Sequence, residues 1–402
     1  MSGIVIVGAG QAAASLAAKL RALGYAGDVT LIGDEPQPPY QRPPLSKAYL
    51  LGEMDLDRLY LRAPAFWDEQ RIALRLGTRV TSIDRAARTL RAGDATIAYD
   101  QLALVTGSIP RRLPDAIGGA LEGVYTVRTL ADVDAMAPEF RPGRRLLIIG
   151  GGYIGLEAAA VGAKLGLEVT LIEMAPRILQ RVASEATSDY FRALHTTHGV
   201  TIRESTGLDR LEGTHRVTGA ILSDGSRVPA DFVIVGIGIT PATALAEAAG
   251  LETENGIKTD AFGRTSDPAI WAAGDCASFP WADGRIRLES VGNAIDQGEI
   301  VAANMLGAEI PYQAKPWFWS DQYDTKLQIA GLNAGFDRTV IRQGEGGALS
   351  IWYYRAGELI ALDAMNDARA YMVGKRLIEM GKSPDPAAIA DTATDLKALL
   401  KA

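Results

Sequence analysis

The chain has 402 residues, a length that indicates two or three domains of ordinary size. Charged residues make up 22% and hydrophobic residues 48%, which excludes an intrinsically disordered chain and allows sizeable cores. One cysteine excludes a disulfide scaffold or a CxxC redox pair, and three histidines form no cluster with the spacing of a metal site. A net charge of −7 argues against bulk binding to nucleic acid or to an anionic membrane.

The first predicted element is a buried strand at residues 4–7, almost at the start of the chain. It leaves no room for a secretory signal, and no run of about 18 apolar residues follows, so we expect a cytoplasmic protein without a membrane span. A glycine turn comes next, then an alanine-rich helix and a second strand at residues 28–32. This order is a βαβ unit with two parallel strands.

The same unit occurs again, with strands at residues 147–149 and 168–172 around a second glycine turn. In such turns the first glycine permits a tight bend, the second lets the backbone approach a pyrophosphate, and the third small residue lets the helix pack on the strand. The helix N-terminus then presents N–H groups to the phosphates. The residues predicted to bind dinucleotides in this way are Gly8, Gly10, Ala12 and Ala13 in the first turn, and Gly150, Gly152, Tyr153, Ile154 and Gly155 in the second.

Each second strand ends near a carboxylate of the kind that binds an adenosine ribose. In the second unit this is Glu173, which would repel a 2′-phosphate and therefore favours NADH, although Arg177 lies four residues further on. In the first unit either Asp34 or Glu35 serves, or the acid is a solvated loop residue. Two dinucleotide sites imply two dinucleotides, most economically a flavin in one domain and a nicotinamide that docks from the other.

Two further strands are predicted at residues 102–105 and 232–235, and the composition changes from Pro311 onward. This last segment is rich in aromatic residues with alternating polarity, which predicts an antiparallel sheet followed by helices. We therefore expect residues 311–402 to form a separate C-terminal α+β domain.

Several segments follow one another in an order typical of one enzyme family. They are PYQRPPLSK at residues 39–47, TGS at 106–108, the second glycine turn through Glu157, GIGITP at 236–241, AGDC at 273–276 and PWFWSDQ at 316–322. Together they resemble the FAD-dependent, putidaredoxin reductase-like ferredoxin reductases of bacterial cytochrome monooxygenase and aromatic-ring dioxygenase systems. The resemblance covers essentially the whole chain. It implies an α/β fold with two Rossmann-like domains, the architecture of glutathione reductase, plus the C-terminal domain. The domains that it implies are a discontinuous FAD-binding domain at residues 1–108 and 240–310, an NAD-binding domain at 109–239 and the C-terminal α+β domain at 311–402.

The resemblance also assigns roles in flavin binding. Asp275 resembles the aspartate that holds the ribityl chain, with a turn acid as the alternative interpretation. Arg42 is matched with the pyrophosphate, although a surface arginine in a proline-rich loop is nearly as good an interpretation. A capped helix that begins after Glu289 would present its N-terminus to the flavin. The other positions matched with flavin or nucleotide contacts are Val80, Thr106, Gly107, Arg128, Gly238, Gly274 and Val291.

Lys47, Glu157 and Trp319 are the predicted catalytic residues. In the family pattern Lys47 and Glu157 approach each other beside the reactive nitrogen of the flavin, where the lysine would stabilise developing negative charge. The alternative is a solvated lysine and a glutamate in the first turn of a helix. Trp319 is expected at the flavin edge, whereas its neighbours Trp317 and Phe318 are expected in the core.

The relatives of this architecture that reduce disulfides or peroxides need a thiol near the flavin, and the corresponding segment here contains none. Cys276 is expected to be a buried small residue. We therefore expect an NADH–ferredoxin reductase: NADH gives a hydride to FAD, which passes single electrons to a 2Fe-2S ferredoxin. The alternatives are an NADH-dependent reductase of a small acceptor such as a quinone or radical, and a redox-gated interaction protein resembling apoptosis-inducing factor. For an acidic ferredoxin the candidate docking residues are Lys326, Lys375 and Arg376.

Overall fold

The computed structural model describes residues 3–401, and these residues form two compact units. Unit 1 contains the described residues up to Gln41, together with Asp55–Ile109 and Ile239–Pro316. Unit 2 contains Arg42–Met54, Pro110–Gly238 and the described residues from Trp317 onward. The domain boundaries expected from the sequence stay a prediction.

The chain contains βαβ segments as well as runs of consecutive strands. Its first part contains β1 (Gly3–Val7), α1 (Gln11–Ala22), β2 (Val29–Ile32), α2 (Leu56–Leu59), α3 (Pro64–Glu69), β3 (Ile72–Arg75), β4 (Val80–Asp84), β5 (Thr89–Ala92), β6 (Ala95–Leu104) and β7 (Ser108–Pro110). The second part contains β8 (Val124–Tyr125), α4 (Leu130–Met136), β9 (Arg145–Ile149), α5 (Tyr153–Lys164), β10 (Glu168–Ile172), α6 (Glu185–Thr197), β11 (Thr201–Arg203), β12 (Leu208–Gly213), β13 (Val217–Leu222), β14 (Arg227–Pro229) and β15 (Phe232–Val235).

The remaining elements return first to unit 1 and then complete unit 2. Those in unit 1 are β16 (Ile239–Pro241), α7 (Ala244–Ala248), β17 (Ile257–Lys258), β18 (Ile270–Ala272), β19 (Ala277–Trp281), β20 (Gly284–Ile286) and α8 (Val291–Met305). Those in unit 2 are β21 (Trp317–Gln322), β22 (Thr325–Gly331), β23 (Arg338–Gln343), β24 (Leu349–Arg355), β25 (Glu358–Met365), α9 (Ala368–Glu379) and α10 (Pro386–Ala390).

Unit 1 is organised around a parallel sheet in the order β3-β2-β1-β6, with β18 also paired to β6. In β1 all five residues are buried, as expected for a parallel strand covered on both faces. The antiparallel strands β5 and β4 continue from β6. Helices α1 and α8 pack together over the sheet, and Leu16, Leu20 and Val301 belong to the core beneath them.

Unit 2 contains two larger sheets. The first is parallel, in the order β11-β10-β9-β15-β8, and the second is antiparallel, in the order β21-β22-β25-β24-β23. Helix α9 packs on β25 and β22, and α5 packs against β21. A 3-10 turn at Pro43–Ser46 also lies against α5. These contacts bring two segments that are distant in sequence, the 3-10 turn and β21, to α5.

The predicted fold class is confirmed: both βαβ units form parallel sheets, and the segment after Pro316 is an antiparallel sheet with helices. No helix within residues 3–401 is long and apolar enough to cross a membrane.

Candidate functional site

The first glycine turn connects β1 to α1. Gly8 has a φ of +120°, and a Cβ there would lie 2.2 Å from the carbonyl oxygen of Val105, so no other residue fits. A Cβ on Gly10, by contrast, would meet none of the described atoms within 4 Å. The space beside Gly10 is therefore available to a ligand.

The second turn, between β9 and α5, repeats this geometry. Gly150 has a φ of +108°, and a Cβ there would lie 2.4 Å from the carbonyl oxygen of Gly236. A Cβ on Gly155 would lie 2.2 Å from the carbonyl oxygen of Gly150, which explains the third small residue. A Cβ on Gly152 would again meet nothing within 4 Å among the described residues.

The two helices that follow these turns begin without a capping side chain, because each N-cap residue is a glycine. Five other helices, α4, α6, α8, α9 and α10, begin with a Thr, Ser or Asp side chain that accepts a backbone N–H. The first N–H groups of α1 and α5 are thus left for an anion, and the open space at Gly10 and Gly152 admits one. The residues at both turns fit dinucleotide pyrophosphates.

Glu173 follows β10 and lies beside the second turn. Its carboxylate accepts the backbone N–H groups of Gly151 and Ala175, each at 2.7 Å. Arg177 donates instead to the Ser188 hydroxyl at 2.6 Å and to the carbonyl oxygen of Ser184 at 3.2 Å. The carboxylate is fixed near the turn, while the guanidinium is bound to the protein.

The equivalent acids in unit 1 differ in their surroundings. Asp34 is 59% exposed and pairs with Arg79 at 3.3 Å. Glu35 is only partly exposed and accepts a hydrogen bond from the hydroxyl of buried Tyr40. The structure holds Glu35 in place more firmly than Asp34.

Asp275 lies in a 3-10 turn that follows β18. The Ser108 hydroxyl donates to its Oδ2 at 2.9 Å, and the N–H of the preceding residue, Gly274, donates to the amide oxygen of Gln297 at 2.8 Å. Cys276 is completely buried, and burial raises the pKa of its thiol. The expectation that Cys276 is a buried small residue is confirmed.

The other predicted flavin contacts in unit 1 lie at the ends of elements. Thr106 donates its hydroxyl to the carbonyl oxygen of Ala242 at 2.7 Å, and Gly107 has a φ of +71°. Val80 begins β4, and Val291 begins α8, whose N-cap Ser290 accepts the N–H of Asn293. The predicted capped helix N-terminus is confirmed, whereas its role toward a flavin stays a prediction.

Lys47 and Glu157 come together in unit 2. The Lys47 ammonium lies 2.8 Å from Oε1 of Glu157, and the two side chains are 16% and 4% exposed. The Ser320 hydroxyl also donates to Oε1, at 2.6 Å, and the Ser46 hydroxyl donates to Oε2 at 2.8 Å. The approach of lysine and glutamate inferred from the family pattern is therefore present, and the solvated pair is excluded.

Arg42 and Arg128 are also neighbours in unit 2, since the guanidinium of Arg42 donates to the carbonyl oxygen of Arg128 at 2.7 Å. Gly238 has a φ of +100° and accepts the N–H of Arg111. Tyr153 at the start of α5 packs against Phe318, with the two rings tilted and their centres 4.9 Å apart. The buried hydroxyl of Tyr153 has no hydrogen-bond partner within residues 3–401.

Trp319 lies in β21 and is partly buried, with its ring stacked on Trp317 at 5.4 Å. The expectation that Trp317 and Phe318 belong to the core was wrong: both remain partly exposed, because β21 is an edge strand. The ammonium of Lys375 lies 5.3 Å from the centre of the Trp317 ring.

Lys326 pairs across the β21–β22 ladder with Asp321, at 3.9 Å, and Arg376 is exposed on α9. Of the three candidate docking residues, Lys375 is the one that the structure places against the tryptophan pair.

Two kinds of residue escaped the sequence reasoning. The first kind is a set of three serines that donate to carboxylates: Ser46 and Ser320 to Glu157, and Ser108 to Asp275. All three serines lie inside motifs that the sequence already singled out. The second kind is a set of apolar side chains left exposed near the second turn: Ile154, Met174 and Ile237. In the described part of the chain, no group of three or more His, Cys, Asp or Glu is arranged for a metal ion.

Comparison with known proteins gives consistent matches over nearly the whole chain. The family model described as pyridine nucleotide-disulphide oxidoreductase matches residues 2–298, and one described as reductase C-terminal matches residues 317–400. A ferredoxin–NAD(P)+ reductase from Sphingomonas sp is 47% identical over 383 residues, covering 94% of this chain and 92% of that protein. The ferredoxin–NAD+ reductase component of an anthranilate 1,2-dioxygenase system from Burkholderia cepacia is 42% identical and covers 98% of both chains. The reductase in the crystal structure of a covalent putidaredoxin reductase–putidaredoxin complex is similar with a TM-score of 0.95 and 39% identity, covering 100% of this chain and 98% of that one.

Proposed function

The chain belongs to the pyridine nucleotide-disulphide oxidoreductase family, and on that basis we propose that it is an NADH-dependent ferredoxin reductase. It is an oxidoreductase that uses FAD and a nicotinamide dinucleotide. The relatives named above as ferredoxin reductases support a 2Fe-2S ferredoxin as the acceptor, in the service of a monooxygenase or a ring-hydroxylating dioxygenase. Because NADH is a cytoplasmic reductant, we also propose a cytoplasmic location.

One observation supports this particular activity within the family. The chain has two complete dinucleotide turns, but its single cysteine is fully buried with a raised thiol pKa. A disulfide reductase needs a thiolate that can attack, and this thiol is neither accessible nor easily ionised. Electrons therefore leave the enzyme without passing through a protein thiol, and reduction of a ferredoxin needs none.

We assign the FAD to the Gly8–Gly10 turn of unit 1, where Glu35 binds the adenosine ribose and Asp275, oriented by Ser108, binds the ribityl chain. We assign NADH to the Gly150–Gly155 turn of unit 2, where Glu173 binds the ribose. Arg177 is committed to Ser184 and Ser188, which supports NADH over NADPH.

When bound, FAD would supply the chemistry of hydride acceptance and single-electron release. Lys47, held by Glu157, supplies the positive charge that stabilises the negative charge formed in this reaction. Trp319 shields the reacting edge from water. None of these roles needs a general base.

The decisive experiment is an anaerobic titration of the purified holoenzyme with NADH, followed by addition of a 2Fe-2S ferredoxin. We expect bleaching of the flavin by NADH and then rapid reduction of the ferredoxin. Rapid turnover with quinones but none with any ferredoxin would instead assign the protein as a reductase of small acceptors. Flavin that stays oxidised in excess NADH would contradict the proposal altogether.

A further inference from the structure

Glu157 lies at one end of a continuous series of hydrogen-bonded side chains in unit 2. Its Oε1 accepts the hydroxyl of Ser320 at 2.6 Å, and the hydroxyl oxygen of Ser320 accepts the amide Nε2 of Gln322 at 3.1 Å. The amide oxygen of Gln322 lies 2.7 Å from Nε2 of His195, and the hydroxyl of Tyr323 lies 3.2 Å from Nδ1 of that ring. We call Ser320, Gln322, His195 and Tyr323 the donor series.

The direction of each hydrogen bond in the donor series follows from the groups themselves. The amide nitrogen of Gln322 faces Ser320, so the amide oxygen faces His195 and only accepts. Nε2 of His195 must then carry the proton, which leaves Nδ1 as the acceptor of the Tyr323 hydroxyl. Every donor thus points along the series toward the carboxylate of Glu157.

The surroundings of His195 agree with this assignment. His195 is completely buried, and burial lowers its pKa to about 4, so the ring is neutral at physiological pH. A neutral ring donates at one nitrogen and accepts at the other, as the two contacts require. In a low dielectric, aligned hydrogen bonds strengthen one another.

Tyr323 adopts a strained backbone conformation that directs its side chain to His195. Tyr323 has a φ of +57° in the two-residue loop between β21 and β22, a conformation that is costly for an aromatic residue. In this position its ring stacks on His198 at 3.7 Å while its hydroxyl contacts His195.

We propose that the donor series is a set of positioning residues that fixes the Glu157 carboxylate, and through it the Lys47 ammonium, in the geometry used for flavin reduction. This inference rests on the proposed function of the Lys47–Glu157 pair. Ser320 and Gln322 lie on one side of β21 and Trp319 lies on the other, because side chains alternate along a strand. The same contacts therefore fix the strand that carries Trp319.

The main test is Ser320→Ala in the FAD-loaded enzyme, compared with Ser350→Ala. Ser350 is an equally buried serine of the same sheet, and its hydroxyl oxygen accepts the indole N–H of Trp352 at 3.1 Å. We expect Ser320→Ala to slow flavin reduction by NADH about tenfold, since it removes a hydrogen bond to a charged group.

We expect the rate of flavin reduction to fall less in a variant the further its residue lies from Glu157 along the series. Gln322→Leu is expected to slow reduction by about threefold and Tyr323→Phe by less than about twofold. Ser320→Thr, which keeps the hydroxyl, should restore most of the rate. An unchanged rate in Ser320→Ala would overturn the proposal, as would an equal loss in Ser350→Ala.

A second measurement does not depend on turnover. The chain has only three histidines, so ¹⁵N labelling of histidine gives three ring spectra from the oxidised holoenzyme. We expect His195 to be neutral with its proton on Nε2, and to lose this signature in Gln322→Leu. A proton on Nδ1 would overturn the direction of the series. If the wild type is not reduced by NADH while the ring spectrum is as expected, then the proposed function fails and the hydrogen-bonded series remains.

Discussion

Both oxygens of the Glu173 carboxylate are engaged by backbone N–H groups, so the side chain has little freedom to turn away from a bound ribose. We expect Glu173→Ala to raise the KM for NADH by about five- to hundredfold, the range for loss of a hydrogen bond to a charged group. The preference over NADPH should narrow because the repulsion of a 2′-phosphate is lost. Steady-state kinetics with both coenzymes check this, with Glu168→Ala, an exposed acid at the far end of β10, as the control. A wild type that prefers NADPH would contradict the assignment.

Lys47 is likewise held in place, by its ion pair with Glu157 of α5. We expect Lys47→Met to slow flavin reduction by NADH by about ten- to hundredfold, because a positive charge in a site of low dielectric is lost. Stopped-flow absorbance measures the rate, and the flavin-to-protein ratio should stay unchanged. Lys164→Met is the matched control, because Lys164 is the last residue of α5 and pairs with Glu53 at the surface. An unchanged rate in Lys47→Met would leave that side chain without a catalytic role.

Asp363 provides a prediction about pH and stability. It is buried, and burial raises its pKa to about 6 even though Tyr353 and Thr187 donate to its Oδ2. Its Oδ1 finds no hydrogen-bond partner within residues 3–401. Since the folded-state pKa exceeds the unfolded value of about 3.9, the stability contributed by the protonated form is complete below pH 4 and is lost as the pH rises through 6.

The measurement compares Asp363→Asn with wild type across that range. The difference in Tm, variant minus wild type, should become more positive between pH 4 and pH 7, because the variant cannot ionise. Thermal unfolding in buffers of matched ionic strength gives the values, with exposed Asp337→Asn as the control. A difference that does not vary with pH would show that Asp363 stays charged or stays protonated throughout.

At the residue scale, the sequence could predict groups whose role is encoded locally. Glu173 follows a strand and a glycine turn, and Lys47 lies in a motif. The partners of Glu157 could not be predicted, because Ser320 is 163 positions away along the chain and only the packing of β21 on α5 brings it there. His195 lies in no recognisable motif, and only its contacts in the structure connect it to Glu157.

At the scale of elements, the side chains of β21 alternate between two sides of the strand, and the two sides have different roles. Trp317 and Trp319 share the more exposed side, and Lys375 of α9 lies over the Trp317 ring. For an acidic ferredoxin this side offers aromatic surface together with positive charge. We propose it as the docking surface, which deepens the earlier expectation for Lys326, Lys375 and Arg376.

The corresponding test reverses one charge. Lys375→Glu should raise the KM for ferredoxin several-fold and weaken its dependence on salt, while ferricyanide reduction by NADH stays intact. Lys397→Glu makes the same change of charge at an exposed position near the C-terminus. Equal effects of both substitutions would mean that net charge, and not this surface, governs the association.

The elements themselves differed in how well the sequence predicted them. The two βαβ units were predictable because the geometry at Gly8 and Gly150 admits only glycine and so leaves a clear signal. Strands of two or three residues, such as β8 and β17, carry too few side chains to show a period. The partial exposure of Trp317 was also beyond prediction, because it depends on β21 being an edge strand.

For the whole molecule, we expect FAD to copurify at about one per chain, because unit 1 provides both a pyrophosphate turn and a fixed Asp275. Ser108→Ala removes the donor that orients Asp275 and should increase FAD loss on dialysis by about tenfold. Ser278→Ala, a buried serine of the same unit, is the control. Flavin absorbance against protein concentration measures the ratio, and colourless protein that cannot be reconstituted would contradict the assignment of the first turn.

The burial of Cys276 also has a practical consequence. Its sulfur lies within 3.5 Å of the carbonyl oxygens of Leu104 and Ala273, inside the core of unit 1, and is closed to alkylating reagents. A cysteine introduced anywhere on the surface would then be the sole reactive thiol of the chain. Fluorophores or spin labels can therefore be attached at chosen positions without first removing the native residue, so that motion during turnover becomes measurable in an otherwise unaltered enzyme.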